Sequence, residues 1–252
     1  CIRDRHPAGY LRRAAQFRRG PVPERVIEAP SPNHGPRRDG LRPSLIVVHY
    51  TAMQSAEVAL ERLCDPAHEV SCHYLVGGDG RVWRLVNEER RAWHAGAGGW
   101  GGRGDVNSRS IGIELDNRGT HPFSAPLMSA LVTLLPGIMA RHGILPAGVI
   151  GHSDMAPDRK NDPGPRFDWL RLARAGLAVW PEPCEPAGGD LPGRFARAAR
   201  RFGYPSAGNV LAAFRARFRP WARGAGPDAM DVALIEDLAQ RHPFLDPGAP
   251  AA

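Results

Sequence analysis

Leu45-Ile46-Val47-Val48-His49-Tyr50-Thr51 sets four consecutive apolar side chains directly before a histidine. A short unbroken apolar run is the pattern of a strand covered on both faces, so it belongs inside a sheet with a layer on each side. Downstream, Ser55 can cap a helix through Val58, Leu60 and Leu63 that Asp65-Pro66 would stop. A hairpin follows, in which His73–Val76 and Arg81–Val86 flank the turn Gly77-Gly78-Asp79-Gly80. Residues 96–104 form a glycine-dense loop around Trp100. The alternation in Ser110-Ile111-Gly112-Ile113-Glu114-Leu115-Asp116 predicts a strand that points Glu114 away from the side of Ile113 and Leu115. A helix is expected over residues 125–142, kinked or broken at Pro136. Val149-Ile150-Gly151 reads as a short strand delivering His152. Strands interleaved with helices and one hairpin predict an α/β domain, a mixed central β-sheet flanked by helices.

The rest of the chain divides around that domain. Residues 1–29 carry seven arginines against three acids, the composition of a basic N-terminal extension. The α/β domain spans 30–181, and the Pro/Gly-rich stretch 182–189 reads as a linker. Residues 190–246 predict a small module of three short helices, followed by a tail at 247–252. Asp190 caps the first helix, with Phe195, Ala199 and Phe202 on its apolar face, and Gly203-Tyr204-Pro205 ends it. Val210, Leu211, Phe214 and Phe218 form the stripe of the second helix; Asp228 caps the third, with Val232, Ile235 and Leu238.

Composition excludes several classes. The 252 residues are enough to build a core without disulfide staples. No stretch approaches the roughly 18 uncharged apolar residues of a membrane helix, and no signal-peptide core follows the basic start. The net charge of +7 comes from scattered arginines without a groove-reading motif, so nucleic acid is not an expected partner. The same charge suits an anionic polymer such as the bacterial wall. Cys1, Cys64, Cys72 and Cys184 lack the spacing of a thiolate metal site or a disulfide framework. Cys1 stands first in the chain, as in a mature lipoprotein with a lipid anchor or in a trimmed start.

The chemistry concentrates at strand exits. His49 leaves one strand, His152 leaves another, and Glu114 lies on a third; strand ends sharing one sheet edge converge on a common crevice. Two imidazoles and a carboxylate there make a catalytic-zinc ligand set with a fourth position for water. The carboxylate is Asp162, one loop beyond His152 and followed by the stiff Pro163-Gly164-Pro165, or else Asp154 or Asp158. Glu114 on an apolar strand needs a partner or a function, because an unpaired buried charge is costly. It is either a general base toward water made acidic by the metal or an ion-pair partner of Arg109 or Arg118. Lys160 is the only lysine among 33 Lys+Arg positions, and its compact ammonium suits a single donor beside a reacting oxygen. His73 and His94 are candidates to line a substrate cleft.

Five segments, in this order, resemble the zinc-dependent N-acetylmuramoyl-L-alanine amidases of the amidase-2 group. They are Val47–Thr51, Val70–Val76, Trp93-His94-Ala95-Gly96, Ser108–Glu114, and Gly151–Asp154 continuing through Lys160–Pro165. The resemblance implies the amidase-2 and peptidoglycan-recognition type of fold, with zinc on His49, His152 and Asp162, Glu114 as base and Lys160 stabilising the oxyanion. It implies hydrolysis of the amide between the lactyl group of N-acetylmuramic acid and L-alanine of peptidoglycan or a muropeptide. The alternative is a non-catalytic peptidoglycan-recognition protein, a kind that loses a zinc ligand. Tyr50, Trp93 and Asn117 join His73 and His94 as expected substrate contacts. Phe202-Gly203-Tyr204-Pro205 and Ala213–Pro220 resemble a peptidoglycan-binding module, although Ser206-Ala207-Gly208-Asn209 shortens the usual acidic entry to its second helix. The expected location is the bacterial envelope on the periplasmic side, with the cytoplasm as the alternative.

Overall fold

Six strands form the central sheet of the computed structural model, which describes residues 26–182 and 185–244. They are β1 (Val26–Glu28), β3 (Leu45–Tyr50), β4 (Tyr74–Val76), β5 (Val82–Arg84), β7 (Ser110–Leu115) and β8 (Val149–Gly151), in the order β1-β5-β4-β7-β3-β8. Only the β4–β5 hairpin is antiparallel; every other neighbouring pair is parallel. β2 (His34–Pro36) and β6 (Arg90–Ala92) make a separate antiparallel pair. The helices among the described residues are α1 (Ala56–Cys64), α2 (Val106–Arg109), α3 (Ala125–His142), α4 (His152–Met155), α5 (Trp169–Arg174), α6 (Leu191–Phe202), α7 (Val210–Phe218) and α8 (Ala229–Arg241). Cys1 and the rest of 1–25, Cys184, and the 247–252 tail lie outside the described residues.

β3 is covered on both faces, as its unbroken apolar run predicts. Ile46 and Val48 pack in one cluster with Ile111, Ile113 and the buried stripe of α3, including Leu127, Leu131 and Ile138. Leu45 and Val47, pointing the other way, share a cluster with Ile150, Trp100 and the apolar faces of α6, α7 and α8. The core of the C-terminal helices is therefore continuous with one face of the sheet.

Ser55, Asp190 and Asp228 cap α1, α6 and α8 as expected, each accepting a backbone N–H of the first turn. Two elements differ from expectation. α3 continues through Pro136 without the break that was one of the two expectations there, since buried Leu131, Leu134 and Leu135 before the proline and Ile138 and Met139 after it anchor both halves to one core. Packing on that face outweighs the hydrogen bond that the ring removes. Residues 26–28, assigned by composition to the basic extension, instead pair as β1 with β5; Val26 and Ile27 are β-prone, and the arginine-rich average of the segment hides them.

Candidate metal centre

Register brings the chemistry together before any side chain is considered. β3 and β7 align His49 with Glu114, and β3 and β8 align Val48 with Gly151, so His152 emerges beside His49 at the same sheet edge. The turn after β8 is tied to the Asp162 loop, with the Ser153 N–H donating to the Asp162 carbonyl at 2.9 Å. His49 Nδ1 stands 2.9 Å from His152 Nδ1 and 3.0 Å from Asp162 Oδ2, and His152 Nδ1 is 3.1 Å from the same oxygen. All three side chains are buried. Of the competing carboxylates, Asp154 faces Tyr204 and Arg217, and Asp158 accepts the Asn209 N–H.

The far side of each ring fixes its tautomer. His152 Nε2 is 2.9 Å from the Ala95 carbonyl, which only accepts, so Nε2 is the donor there and Nδ1 is the nitrogen turned to the triangle. His49 is set through a longer chain. The Ser110 hydroxyl donates to the Val106 carbonyl at 2.6 Å, which leaves its oxygen to accept from His94 Nε2 at 3.2 Å. A neutral His94 then has a bare Nδ1, which accepts from His49 Nε2 at 3.0 Å. His49 Nδ1 is thereby bare. Burial, and then the neighbouring His152, lower the His49 pKa to about 4, which keeps this ring neutral near pH 7.

The two Nδ1 atoms and a carboxylate oxygen thus converge within 3.1 Å of one another, an arrangement suited to a cation. Tetrahedral zinc with bonds of about 2.0–2.1 Å places its ligand atoms roughly 3.3–3.4 Å apart, and the observed triangle is within a few tenths of an ångström of that. The residues fit a metal ion. Two histidines and a carboxylate leave one tetrahedral position for solvent or substrate, and both histidines have the outer hydrogen bonds that orient metal ligands.

Residues 39–165 match the family model described as N-acetylmuramoyl-L-alanine amidase. The chain is 35% identical over 235 residues to the N-acetylmuramoyl-L-alanine amidase AmiD of Escherichia coli, a match covering 80% of this chain and 84% of the relative. The chain belongs to the N-acetylmuramoyl-L-alanine amidase family. Escherichia coli AmiD, solved in complex with the substrate anhydro-N-acetylmuramic acid-L-Ala-D-gamma-Glu-L-Lys, matches with a TM-score of 0.72 at 32% identity, over 87% of this chain and 93% of that one. AmpDh3 from Pseudomonas aeruginosa, in complex with anhydromuramic pentapeptide, matches with a TM-score of 0.69 at 29% identity, over 82% and 95% of the two chains. The mixed sheet flanked by helices is the fold of these amidases.

Beside the triangle, this amidase carries a carboxylate whose Oε2 is buried without a hydrogen-bond partner, that of Glu114. Burial pushes the Glu114 pKa up to about 8, with the Asp162 carboxylate adding to the rise and Lys160 opposing it. Arg109, one expected ion-pair partner, instead turns its guanidinium to the carbonyls of Trp100, Arg103 and Gly104. Lys160 is exposed at the rim, and its backbone is held by a hydrogen bond to the Ala156 carbonyl.

The other expected amidase residues separate by position. Tyr50 is partly buried, with its hydroxyl donating to Asn161 at 2.8 Å, and Trp93 is partly exposed. His73 is fully buried: Nδ1 accepts the Gly112 N–H, and Nε2 faces the Arg90 carbonyl at 3.1 Å. Its polar atoms are satisfied within the fold, so the expected substrate contact gives way to a structural role. Asn117, also buried, accepts the Gly119 N–H and donates toward His121 and Pro122, shaping the 117–122 loop instead of facing a ligand. His94 orients His49. Ser110, the Ala95 carbonyl and Asn107, whose Oδ1 accepts the N–H groups of His94 and Ala95, complete the site without any spacing signal in the sequence.

Proposed function

We propose that this chain hydrolyses the amide bond between the lactyl group of N-acetylmuramic acid and L-alanine of the peptidoglycan stem peptide, with one zinc ion held by His49, His152 and Asp162. The observation that carries this reading is the convergence of two histidine Nδ1 atoms and a carboxylate oxygen beside Glu114, whose Oε2 is buried without a hydrogen-bond partner. When bound, the ion supplies Lewis acidity, polarising the amide carbonyl and making water acidic enough to lose a proton near neutral pH. Glu114 takes that proton and passes it to the leaving amine of L-alanine, a role suited to a carboxyl poised near the working pH. Lys160 places a compact positive charge where the carbonyl oxygen becomes negative. His94 and Ser110 hold the His49 tautomer, while Tyr50 and Trp93 are the remaining residues available for substrate contact at the mouth.

A peptidoglycan substrate places the activity in the bacterial envelope, and the periplasmic side is the proposed compartment. No helix among the described residues is long and apolar enough to cross a membrane. The test is incubation of the purified chain with peptidoglycan fragments, with and without a chelator, and product identification by mass spectrometry. Chelator-sensitive release of free stem peptides beginning at L-alanine is expected. Zinc retention without cleavage of any muropeptide would replace the hydrolase with a recognition protein.

A further inference from the structure

Arg217, on α7 of the C-terminal unit, buries its guanidinium inside the α/β domain. NH1 donates to Asp154 Oδ2 at 2.7 Å and NH2 to the Val149 carbonyl at 3.1 Å, with both side chains of the ion pair at most 2% exposed. The guanidinium carbon lies 4.1 Å from the centre of the Trp169 ring. Tyr204, from the turn after α6, donates its hydroxyl to Asp154 Oδ1 at 2.9 Å. Asp154 Oδ2 also accepts the Gly151 N–H at 2.8 Å. Val149, Gly151 and Asp154 bracket His152 on both sides, and Ser153 between them carries the backbone bond to Asp162.

The same unit grips the other rim of the cleft. Trp100 of the glycine loop is fully buried against Phe202, Tyr204 and Phe244. A Cβ at Gly203 would stand 2.4 Å from the Trp100 ring, so only glycine allows this approach. A buried ion pair loses so much hydration that it is weak evidence for stability, and its better-attested use is to fix one arrangement among several.

We propose that Arg217 and Tyr204 are positioning residues of the metal centre. They hold the β8–α4 turn so that His152 Nδ1 and Asp162 Oδ2 meet His49 Nδ1, which makes the C-terminal helices part of the scaffold of the site and not a detachable wall-binding appendage. This inference rests on the metal reading proposed above.

The test measures the zinc Kd of the full chain by competition with a chromophoric chelator, and amide hydrogen exchange over residues 149–162 in the metal-free protein. Arg217→Met is expected to fold, to weaken zinc binding about 10- to 100-fold and to speed exchange in that segment. Tyr204→Phe, which deletes one hydroxyl, shifts both readouts the same way by less, and carries the test should Arg217→Met fail to fold. Arg217→Lys recovers part of the affinity. Val232→Ala, in the core of α8, lowers the melting temperature while leaving zinc Kd and exchange at 149–162 unchanged. Wild-type Kd and exchange in folded Arg217→Met, or in Tyr204→Phe if the former does not fold, overturn the proposal, as does an equal loss of affinity in Val232→Ala. Failure of the wild-type chain to bind zinc would overturn the metal reading itself; the exchange data then show separately whether the clamp orders the turn.

Discussion

Glu114 leaves a buried carboxylate oxygen without a hydrogen-bond partner, next to three atoms arranged for a cation. The two kinds of carboxylate at the site predict opposite phenotypes. Glu114→Gln keeps the volume and removes the base, so it should fold, retain zinc by metal analysis, and lose about 10²- to 10⁴-fold in kcat. Asp162→Ala removes a ligand, so zinc content falls and the rise in melting temperature on adding zinc disappears with it. Full zinc in Asp162→Ala would refute its place in the ligand set. At this scale His49, His152 and Glu114, which the structure brings to one sheet edge, stood out in the sequence because each residue type is out of place in its local pattern. Asp162 was not separable from Asp154 or Asp158 by spacing, since what distinguishes them is a partner far away in the chain: Arg217 and Tyr204 engage Asp154, and the Asn209 N–H engages Asp158.

Strands and their pairing supply what single residues do not. The alternation of Ser110–Leu115 reveals a strand, but only its neighbours show why Gly112 stands there: a Cβ would lie 2.4 Å from the His94 ring. Gly112→Ala must push that ring away from His49 Nε2, loosening the tautomer lock. The expected result is a folded protein with zinc affinity lowered about 10-fold, read by chelator competition. Unchanged affinity would mean that His94 does not orient His49. The hydrogen-bond chain Val106–Ser110–His94–His49 was invisible in the sequence for this reason, since its links cross between elements and carry no periodicity. α1, α6, α7 and α8 were legible from caps or apolar stripes, whereas β1 and the continuity of α3 through Pro136 depend on burial that composition does not report.

Over the whole molecule, buried titratable groups shape stability in two opposed ways. Burial is the leading cause lowering His49 and His242 to about 4 and His73 to about 3. Each binds a proton more readily unfolded than folded, so stability of the metal-free chain must fall as pH drops from about 6.5 toward 4, where the unfolded state gains protons that the folded state refuses. Glu114 acts in the other direction. Its folded value near 8 lies above the ordinary 4.5, so the folded state holds a proton that the unfolded state has lost, and stability falls as pH rises through that window. One proton changes stability by at most about 1.4 kcal/mol per pH unit. Urea unfolding of the chelator-treated protein from pH 4 to 8.5 should therefore show a steep acid limb and a shallower alkaline decline. Glu114→Gln should abolish the decline and leave the acid limb in place, and a persisting decline would assign it to another group. Bound zinc should shrink the alkaline decline, because a cation in the triangle favours the Glu114 carboxylate and draws its pKa back toward the ordinary 4.5, leaving it free to accept a proton from water.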